Sequence, residues 1–366
     1  MIEKTYDEIF TFEALYRAHL RGRRCKRDKR QLVKFEMITL SHLGEIYEEL
    51  KHEKFRFERY NSFIVYEPKR REIQTLRYRA RIVQHVICDD LLMPYFSKRA
   101  ILDNCVCQEG KGSHFALARF ENMLKEHVAK HGPNGYFLKG DVLKYFPSIP
   151  HPNLKEVFCK EIADVRLKRF LAHIIDSYNT NNEFLKKYDI EPIGDNPKIT
   201  NRGIPIGNQT SQVFGMFYLN GLDRHIKEQL RIKVYSRYMD DFVLVHQDKA
   251  YLKAVLKKIR QMMDELGLKL NDKTQIFPLK NGVTYLGFRY FVTPTGKIVK
   301  TIKNKTKRRL RSRTKLLKKA YIEGLIDDER IQCSLAAIHG HLKHGRCYKL
   351  EKEIFKKLCS IANIGT

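Results

Sequence analysis

Three aspartates in two apolar segments are the residues whose types and spacing point to chemistry. Asp141 lies in "YFLKGDVLKYF", and Asp240 and Asp241 stand side by side in "YSRYMDDFVLVHQ". Adjacent carboxylates repel one another and lose hydration on burial, so a buried pair needs a compensating cation. Mg²⁺ prefers carboxylate and phosphate oxygens, and two such ions would activate a hydroxyl and stabilise a leaving pyrophosphate. The pattern favours phosphoryl transfer; a solvent-facing turn with two aspartates is the alternative.

Two strands and a hairpin must position these carboxylates. The segments on either side of Met239–Asp240 are apolar and predict two strands with a bend between them. A strand over 136–142 is predicted to carry Asp141, and the three carboxylates converge if the strands lie side by side. A helix over 251–266 follows, and "GVTYLGFRYFV" (282–292) predicts a further strand.

The rest of the chain predicts helices around this core. Residues 1–60 have apolar spacing near 3.6 and predict helices, while Phe63–Tyr66 has strand character with a break at Pro68. A helix is expected from about Ser113, with that serine as its N-cap. A glycine- and proline-containing turn leads into another helix within 202–230. Helices and strands therefore alternate, which indicates an α+β fold.

The composition indicates a polyanionic partner. The 366 residues contain 70 Lys and Arg against 42 Asp and Glu, a formal charge of +28. No run of 18 apolar residues is present to span a bilayer, so the predicted partner is nucleic acid, with no membrane involved. The eight cysteines contain no C-x-x-C, which is typical of a reducing, cytoplasmic location. "HGHLKHGRC" (339–347) lacks a second cluster at zinc-ligand spacing, so its histidines are expected to line a helix.

The basic residues are clustered in two runs. The first is "RGRRCKRDKR" (21–30), and the second, 297–319, contains twelve Lys and Arg and no acid. Apolar residues interrupt the second run, so part of it is expected to pack as a helix that holds a phosphate backbone. The residues predicted to bind nucleic acid are Lys307, Arg308, Arg309, Arg311 and Arg313.

The order of the motifs over about 60–295 resembles the reverse transcriptases, in which a strand aspartate precedes a Tyr-x-Asp-Asp hairpin. The resemblance implies right-hand polymerase architecture, with fingers, a palm containing an antiparallel sheet and a helical thumb. It implies RNA-directed DNA polymerase activity with two Mg²⁺ ions as cofactors, held by Asp141, Asp240 and Asp241. The implied domains are 1–134 (N-terminal helices and fingers), 135–293 (palm, with a finger-like helical insertion around 155–200) and 294–366 (basic helical thumb).

The same resemblance assigns roles to further residues. Phe146 falls where the family keeps an aromatic gate against the sugar 2′ position, and Lys273 in "LGLKLNDKTQIF" matches a proton donor to pyrophosphate. "TYLGF" (284–288) matches the strand that supports the primer end. The residues implied to bind the nucleotide are Lys69, Arg71, Arg81, Phe146, Ile206, Gly207 and Gln212.

One turn departs from the common family pattern. Most reverse transcriptases have Gln-Gly-x-x-x-Ser-Pro before the palm helix, whereas Ile206 and Gln212 replace the Gln and the Pro here. Together with "GKGSHFAL" and "GHLKHGRCYKL", this departure is similar to the reverse transcriptases of diversity-generating retroelements. That resemblance implies error-prone, adenine-mutagenic copying of a template-repeat RNA into cDNA from dNTPs. It also implies a ring-forming accessory protein as a partner.

Two other functions fit these residues. The first is a retron-type or defence-associated reverse transcriptase, which a structured retron RNA or a toxin gene nearby would distinguish from a template and variable repeat pair. The second is a palm that only binds RNA, which primer extension with Mg²⁺ would exclude.

Overall fold

The computed structural model describes residues 1–66, 69–194, 196 and 198–360. The α-helices are α1 (Tyr6–Ile9), α2 (Phe12–Gly22), α3 (Arg30–Glu36), α4 (Thr39–Lys51), α5 (Tyr78–Ile87), α6 (Met93–Arg99), α7 (Ser113–His131), α8 (Tyr145–Ser148), α9 (His151–Cys159), α10 (Val165–Asp176), α11 (Asn182–Lys186), α12 (Gln209–Tyr218), α13 (Asn220–Arg224), α14 (Lys249–Glu265), α15 (Asn304–Ile322), α16 (Asp328–Leu342) and α17 (Tyr348–Cys359). The strands are β1 (Asn61–Val65), β2 (Arg71–Thr75), β3 (Tyr136–Asp141), β4 (Val234–Tyr238), β5 (Asp241–His246), β6 (Gln275–Pro278), β7 (Val283–Tyr285), β8 (Phe288–Val292) and β9 (Ile298–Ile302).

The strands of the described chain form three sheets. The first is the β1–β2 hairpin, the second has the order β4-β5-β3-β6, and the third has the order β7-β8-β9. The β4–β5 and β3–β6 pairs are antiparallel, as are the pairs of the third sheet. Helices and antiparallel strands therefore both contribute to the fold, as the sequence predicts.

The chain divides into two compact units that interleave along the sequence. One unit contains Met1–Gly110, Asp141–Leu230 and Lys257–Lys273, and the other contains the remaining described residues. In the first unit the buried core includes residues of α2, α5, α10 and α12, and α12 is buried on most of its surface. A π-helical segment, Cys88–Leu92, continues α5 into α6. The predicted domain bounds at 134 and 293 stay predictions.

In the second unit, α7 supports the strands through aromatic contacts. The Phe120 ring of α7 lies 5.5 Å from the Tyr285 ring and 5.2 Å from the Tyr290 ring, and it is perpendicular to the latter. Perpendicular aromatic pairs are favourable because the positive edge of one ring meets the negative face of the other. Further along the chain, α15 and α16 both pack against α17. None of the helices in the described residues is long and apolar enough to cross a membrane.

Most predicted elements are confirmed, with shifts at their ends. The hairpin bend, the helix over 251–266 and the helix within 202–230 are present, and the N-terminal region is helical. The strand carrying Asp141 ends at that residue rather than at 142. The predicted strand at Phe63–Tyr66 is β1, which ends at Val65, and Pro68 lies outside the described residues.

Two predictions are wrong in detail, and a third is confirmed only for part of its segment. The N-cap of α7 is Gly112, and no side chain caps the helix, because Ser113 is already its first residue. "GVTYLGFRYFV" forms two strands, since Leu286 and Gly287 adopt positive φ values of 44° and 91° and turn the chain back. The basic run 297–319 begins as β9 and is helical from Asn304, so the prediction that part of it packs as a helix is confirmed.

The stability of the second unit is expected to depend on pH through His127 of α7. Burial, with His131 and His246 nearby, lowers the pKa of His127 to about 4, so the fold favours the neutral imidazole. A depressed histidine pKa stabilises the fold above pH 6.5 and that contribution is lost as pH falls. Between about pH 7 and about pH 5 the loss is expected to be about 2 kcal/mol.

Urea unfolding at the two pH values checks this expectation. The His127→Gln variant cannot ionise there and is expected to lose about 2 kcal/mol less than the wild type over the same interval. An identical pH dependence in both proteins would contradict the assignment.

Candidate active site and nucleic-acid interface

The β4–β5 hairpin presents the two adjacent aspartates. Tyr238 pairs with Asp241 across the hairpin, and Met239 and Asp240 form the turn between them. Met239 has a φ of 63°, a left-handed conformation that costs an L-residue roughly 1–2 kcal/mol. The guanidinium of Arg237, which is fully buried, donates from Nη1 to the Met239 carbonyl at 2.7 Å. This hydrogen bond holds the turn, and both aspartates remain half-buried.

The third aspartate closes a neighbouring strand. Asp141 is the last residue of β3, Asp241 is the first residue of β5, and these strands are neighbours in one sheet. Beside the aspartate, a Cβ on Gly140 would stand 2.1 Å from the Phe242 ring. Real Cβ contacts are never that short, so only glycine lets the ring pack here. β3 and β5 are therefore adjacent strands, which is the condition stated for the carboxylates to converge.

Two polar residues that the sequence analysis did not single out contact these aspartates. Lys139 forms an ion pair with Asp241, and its ammonium lies 5.2 Å from the centre of the Tyr285 ring. Asn271 donates its backbone N–H to the Asp141 carbonyl at 2.8 Å and its Nδ2 to Oδ2 at 3.4 Å. Strand alternation was the available signal for Lys139, because it lies two residues before Asp141 and on the same face.

The donor set suits magnesium. The described residues contain no group of three or more His, Cys, Asp or Glu side chains close enough to hold one metal ion, and a lysine ammonium compensates Asp241. Three carboxylates at one hairpin turn and one strand end are hard oxygen donors, which Mg²⁺ prefers over softer metals. The carboxylates are therefore chemically suited to a hard divalent cation such as Mg²⁺.

Phe146 lies close in sequence to Asp141 and keeps its ring accessible. It belongs to α8 and is half-buried, whereas the preceding Tyr145 is buried and donates its hydroxyl to the Gly215 carbonyl at 2.8 Å. Tyr145 thus anchors the short helix. Phe146 is left as the aromatic side chain that solvent, or a bound sugar, can reach.

The predicted fingers residues occupy a hairpin and the helix after it. Lys69 precedes β2, Arg71 opens it, and both side chains are exposed. Arg81 lies on α5, where burial lowers its pKa and its guanidinium lies 5.4 Å from the centre of the Tyr78 ring. Within the described chain, the buried Arg81 Nε has no hydrogen-bond partner. Lys69 and Arg71 therefore present their donors at the surface, whereas the Arg81 Nε is buried.

The turn before α12 is fixed to β2. The Ile206 carbonyl accepts from the Gln74 N–H at 2.8 Å, and Gly207 has a φ of 137°. A Cβ at Gly207 would stand 2.4 Å from the Gln74 carbonyl oxygen, so glycine is required for this approach. Ile206 is half-buried rather than core, while Gln212 is exposed, with its Oε1 3.6 Å from the Cys107 Sγ.

Lys273 lies in the turn between Asn271 and β6. Its backbone N–H donates to the Asn271 Oδ1 at 3.0 Å, and its side chain is exposed. Asn271 therefore contacts both Asp141 and the backbone of Lys273. The structure thus links Lys273 to the strand-end aspartate through one asparagine.

The basic residues predicted to bind nucleic acid all lie on α15. Thr314 is the buried residue of this helix, and even Leu316 is 68% exposed. Most of the surface of α15 therefore faces solvent. Arg311 is engaged within the protein, because its guanidinium pairs with Glu353 of α17 at 2.8 Å. Hydrogen bonds from Arg311 and Lys357 lower the pKa of Glu353 to about 2. The other four remain candidates for phosphate contacts, whereas Arg311 fastens α15 to α17.

Neutralising α15 is expected to weaken nucleic-acid binding in a salt-dependent manner. The variant carries Lys307→Gln, Arg308→Gln and Arg313→Gln, which spare the ion pair of Arg311. Each lost phosphate contact lowers the slope of log affinity against log salt by about 0.7–0.9, so a total reduction of about 2 is expected. The measurement is binding of an RNA–DNA hybrid across a salt series.

The matched control neutralises the other basic run. Arg24, Lys26 and Arg27 are exposed residues of 21–30, and their change to Gln removes the same charge. An equal fall in slope in both variants would show that net charge, and not α15, controls binding. An unchanged slope in the α15 variant would place the duplex elsewhere.

Comparison with known proteins identifies the family. The family described as reverse transcriptase (RNA-dependent DNA polymerase) matches residues 67–290, more than half of the chain. This range contains the three aspartates, Phe146, the 206–212 turn and Lys273. The protein thus carries an RNA-directed DNA polymerase domain with an α+β fold of the right-hand polymerase type. The chain belongs to the reverse transcriptase family.

Individual relatives are distant. Retron Ec73 reverse transcriptase of Escherichia coli is 26% identical over 150 residues, which span 38% of this chain and 42% of that protein. Among solved structures, apo telomerase from Candida tropicalis truncated from its C-terminal domain is 14% identical, with a TM-score of 0.48 over 67% of this chain and 55% of that chain. Telomerase from Candida albicans with a fragment of telomeric RNA is 12% identical, with a TM-score of 0.46 over 91% and 64% of the two chains.

Proposed function

We propose that the protein copies an RNA template into DNA, with Asp141, Asp240 and Asp241 binding two Mg²⁺ ions. The observation that carries this proposal is the β4–β5 hairpin turn that presents Asp240 and Asp241, within a reverse transcriptase family match that contains all three aspartates. When bound, the metal ions would activate the primer hydroxyl and stabilise the departing pyrophosphate. RNA template, growing cDNA and dNTPs are the partners that this reaction requires.

The other predicted site residues and the neighbours of the aspartates then have distinct tasks. Lys69, Arg71 and Arg81 neutralise the triphosphate, and Lys273 supplies a proton to the pyrophosphate. Arg237 keeps Asp240 and Asp241 in position by holding the Met239 carbonyl. Lys139 compensates Asp241 and must give up that ion pair when the carboxylate binds metal.

Extension of a DNA primer on an RNA template tests the proposal. The purified protein, supplied with dNTPs and Mg²⁺, is expected to extend the primer, and excess chelator is expected to stop extension. Binding of RNA without extension would instead favour a palm protein that only binds RNA.

The finer function best supported by relatives is that of a retron-type or defence-associated reverse transcriptase. The support is the match to a retron reverse transcriptase over 150 residues. A structured RNA gene next to the coding region, copied into cDNA in cells, is the expected finding. A repeat pair with adenine-specific differences would instead favour a diversity-generating retroelement.

The turn at 206–212 is what favours that second candidate. Ile206 offers the templating pair only apolar contact, whereas a glutamine there could hydrogen-bond to it. The half-exposure of Ile206 supports a role at the pair over a purely structural one. In this candidate the template is a template-repeat RNA, the cDNA carries errors at adenines, and a ring-forming accessory protein is a partner.

The Ile206→Gln variant tests this candidate, alone and with Gln212→Pro. With the RNA and accessory partner present, errors at template adenines are expected to fall about tenfold, which corresponds to ~1.4 kcal/mol of added discrimination. An A·T pair has one hydrogen bond fewer than G·C, so adenine should respond most. Unchanged adenine errors in an active variant would show that the turn does not set fidelity.

A further inference from the structure

Two histidine-containing segments far apart in sequence meet in the second unit. His114 follows the "GKG" loop at the start of α7, and His344 lies in the turn after α16. Their imidazole rings stack with centroids 3.9 Å apart and an interplanar angle of 24°. The chain thus brings together the two motifs, "GKGSH" and "GHLKHGR", that the polymerase site leaves without a role.

Phe288 of β8 packs against His341 and against Gly345, which follows His344. The His341 ring lies 5.4 Å from the Phe288 ring, and the Lys300 ammonium lies 5.2 Å from its centre. Gly345 approaches so closely that a Cβ there would stand 3.1 Å from Phe288. The Arg346 N–H donates to the Lys300 carbonyl at 2.8 Å, which fastens the turn to β9. The histidines are therefore held in a fixed place and still reach solvent, since His114 is exposed.

The charged groups on the surrounding elements are mostly basic. They include Lys111 from the loop before α7, His114, Arg119, Glu121, Lys125 and Glu126 from α7, Lys300 from β9, Arg309 from α15, and His341, Lys343 and Arg346 from α16 and its following turn. The Glu121 carboxylate is shared between Lys125 at 3.0 Å and Lys300 at 3.5 Å. One carboxylate therefore faces several cations, and the local charge is positive.

Burial and the nearby positive charge lower the pKa values of two of these histidines. Burial, followed by His114, Lys300 and Lys343, lowers the pKa of His344 below its ordinary value. Burial, His114 and Arg309 do the same to His341. Neutral imidazoles are thus favoured while no anion is bound, and an anion placed among these cations would reverse that preference.

We propose that His114, His341 and His344, together with Lys300, Arg309 and Lys343, bind phosphodiester groups of a nucleic-acid strand, and that His341 and His344 take up protons as they do so. The proposal rests on the proposed function in that the strand belongs to the enzyme's template–primer duplex. Phosphate is the ligand because its oxygens accept hydrogen bonds from imidazolium, ammonium and guanidinium groups together. His341 and His344 are the proton-sensitive part of the site, and Lys300, Lys343 and Arg309 add further cationic donors.

The sign of the pH effect follows from linkage. Phosphate favours the protonated imidazoles, so binding raises their pKa, and affinity increases as pH falls through the window between the free and bound values. Above that window, only the permanent cations contribute. The site therefore makes duplex binding tighter in mildly acidic solution than at alkaline pH.

Calorimetry of hybrid binding tests the proposal. A short RNA–DNA hybrid is titrated into the full-length protein at about pH 7 in two buffers of different ionisation enthalpy, which reports the protons taken up. The wild type is expected to take up protons, and His344→Gln to reduce the uptake by about half or more and weaken affinity about three-fold or more. The matched control is His52→Gln, an exposed histidine of the other unit beside Glu48.

The outcomes separate this site from the polymerase itself. Equal proton uptake in wild type and His344→Gln would overturn the proposal, even if primer extension is normal. Reduced uptake in His344→Gln but not in His52→Gln would support it, whether or not the protein extends primers. As a second readout, the NMR-measured pKa of His344 is expected to rise when the hybrid is added, and no rise would also overturn the proposal.

Discussion

The Asp240→Asn variant is expected to lose nucleotide addition while retaining RNA binding. Asparagine has the size of aspartate but offers one neutral oxygen, so the turn keeps its shape and loses a metal ligand. Because Met239 and Arg237 hold the turn through backbone contacts, the hairpin should remain folded. Primer extension is expected to fall below a few per cent of wild type, a loss of roughly 2 kcal/mol or more in transition-state stabilisation.

The control is the same chemical change at an exposed site. Asp264 of α14 is exposed, and Asp264→Asn is expected to leave extension unchanged. RNA affinity should be similar in all three proteins, since the basic surface of α15 is untouched. Extension above a few per cent of wild type by a well-folded Asp240→Asn protein would remove this aspartate from the metal site.

The Phe146→Ala variant is expected to admit ribonucleotides. The ring is half-buried on α8, and its removal opens space without cutting the anchor that Tyr145 makes to Gly215. Selectivity for dNTP over rNTP should therefore fall about tenfold or more, which is ~1.4 kcal/mol or more of lost discrimination. The measurement is the ratio of kcat/KM for a matched dNTP and rNTP pair.

Tyr145→Phe serves as the matched control. It removes the buried hydroxyl that bonds to the Gly215 carbonyl but opens no space at the helix surface. Stability is expected to fall by about 1–2 kcal/mol, while the sugar preference stays that of the wild type. If Phe146→Ala instead loses stability and keeps its discrimination, the ring is a packing residue.

The sequence pattern was sufficient to predict the α+β fold and the hairpin that carries the adjacent aspartates. Both depend on local signals, namely strand periodicity and a bend at Met239–Asp240, which survive in the structure. The turn between β7 and β8 was missed because it contains Leu286 within an apolar run. Leucine at a φ of 44° has no propensity signal, and only the pairing of Tyr285 with Phe288 reveals the reversal.

Contacts between strands could not be read from one sequence. The ion pair of Lys139 with Asp241 depends on β3 and β5 being neighbours, and no local pattern states the order of strands in a sheet. The same holds for Gly140, whose need for glycine comes from the Phe242 ring of another strand. Asn271 likewise donates a hydrogen bond to Asp141, although the two residues are 130 positions apart in the sequence.

The ion pair between Lys139 and Asp241 also has a bearing on how the protein can be handled. In a carboxylate cluster the bound metal usually relieves most of the repulsion between the carboxylates. Removing the metal with a chelator can therefore unfold the site. Here a lysine of the same strand that carries Asp141 neutralises Asp241, and Asn271 binds the Asp141 carboxylate. The apoprotein therefore has its own counter-ion at Asp241 and a neutral hydrogen-bond donor at Asp141. A chelator should therefore abolish polymerase activity reversibly. Adding magnesium back should restore that activity without a refolding step.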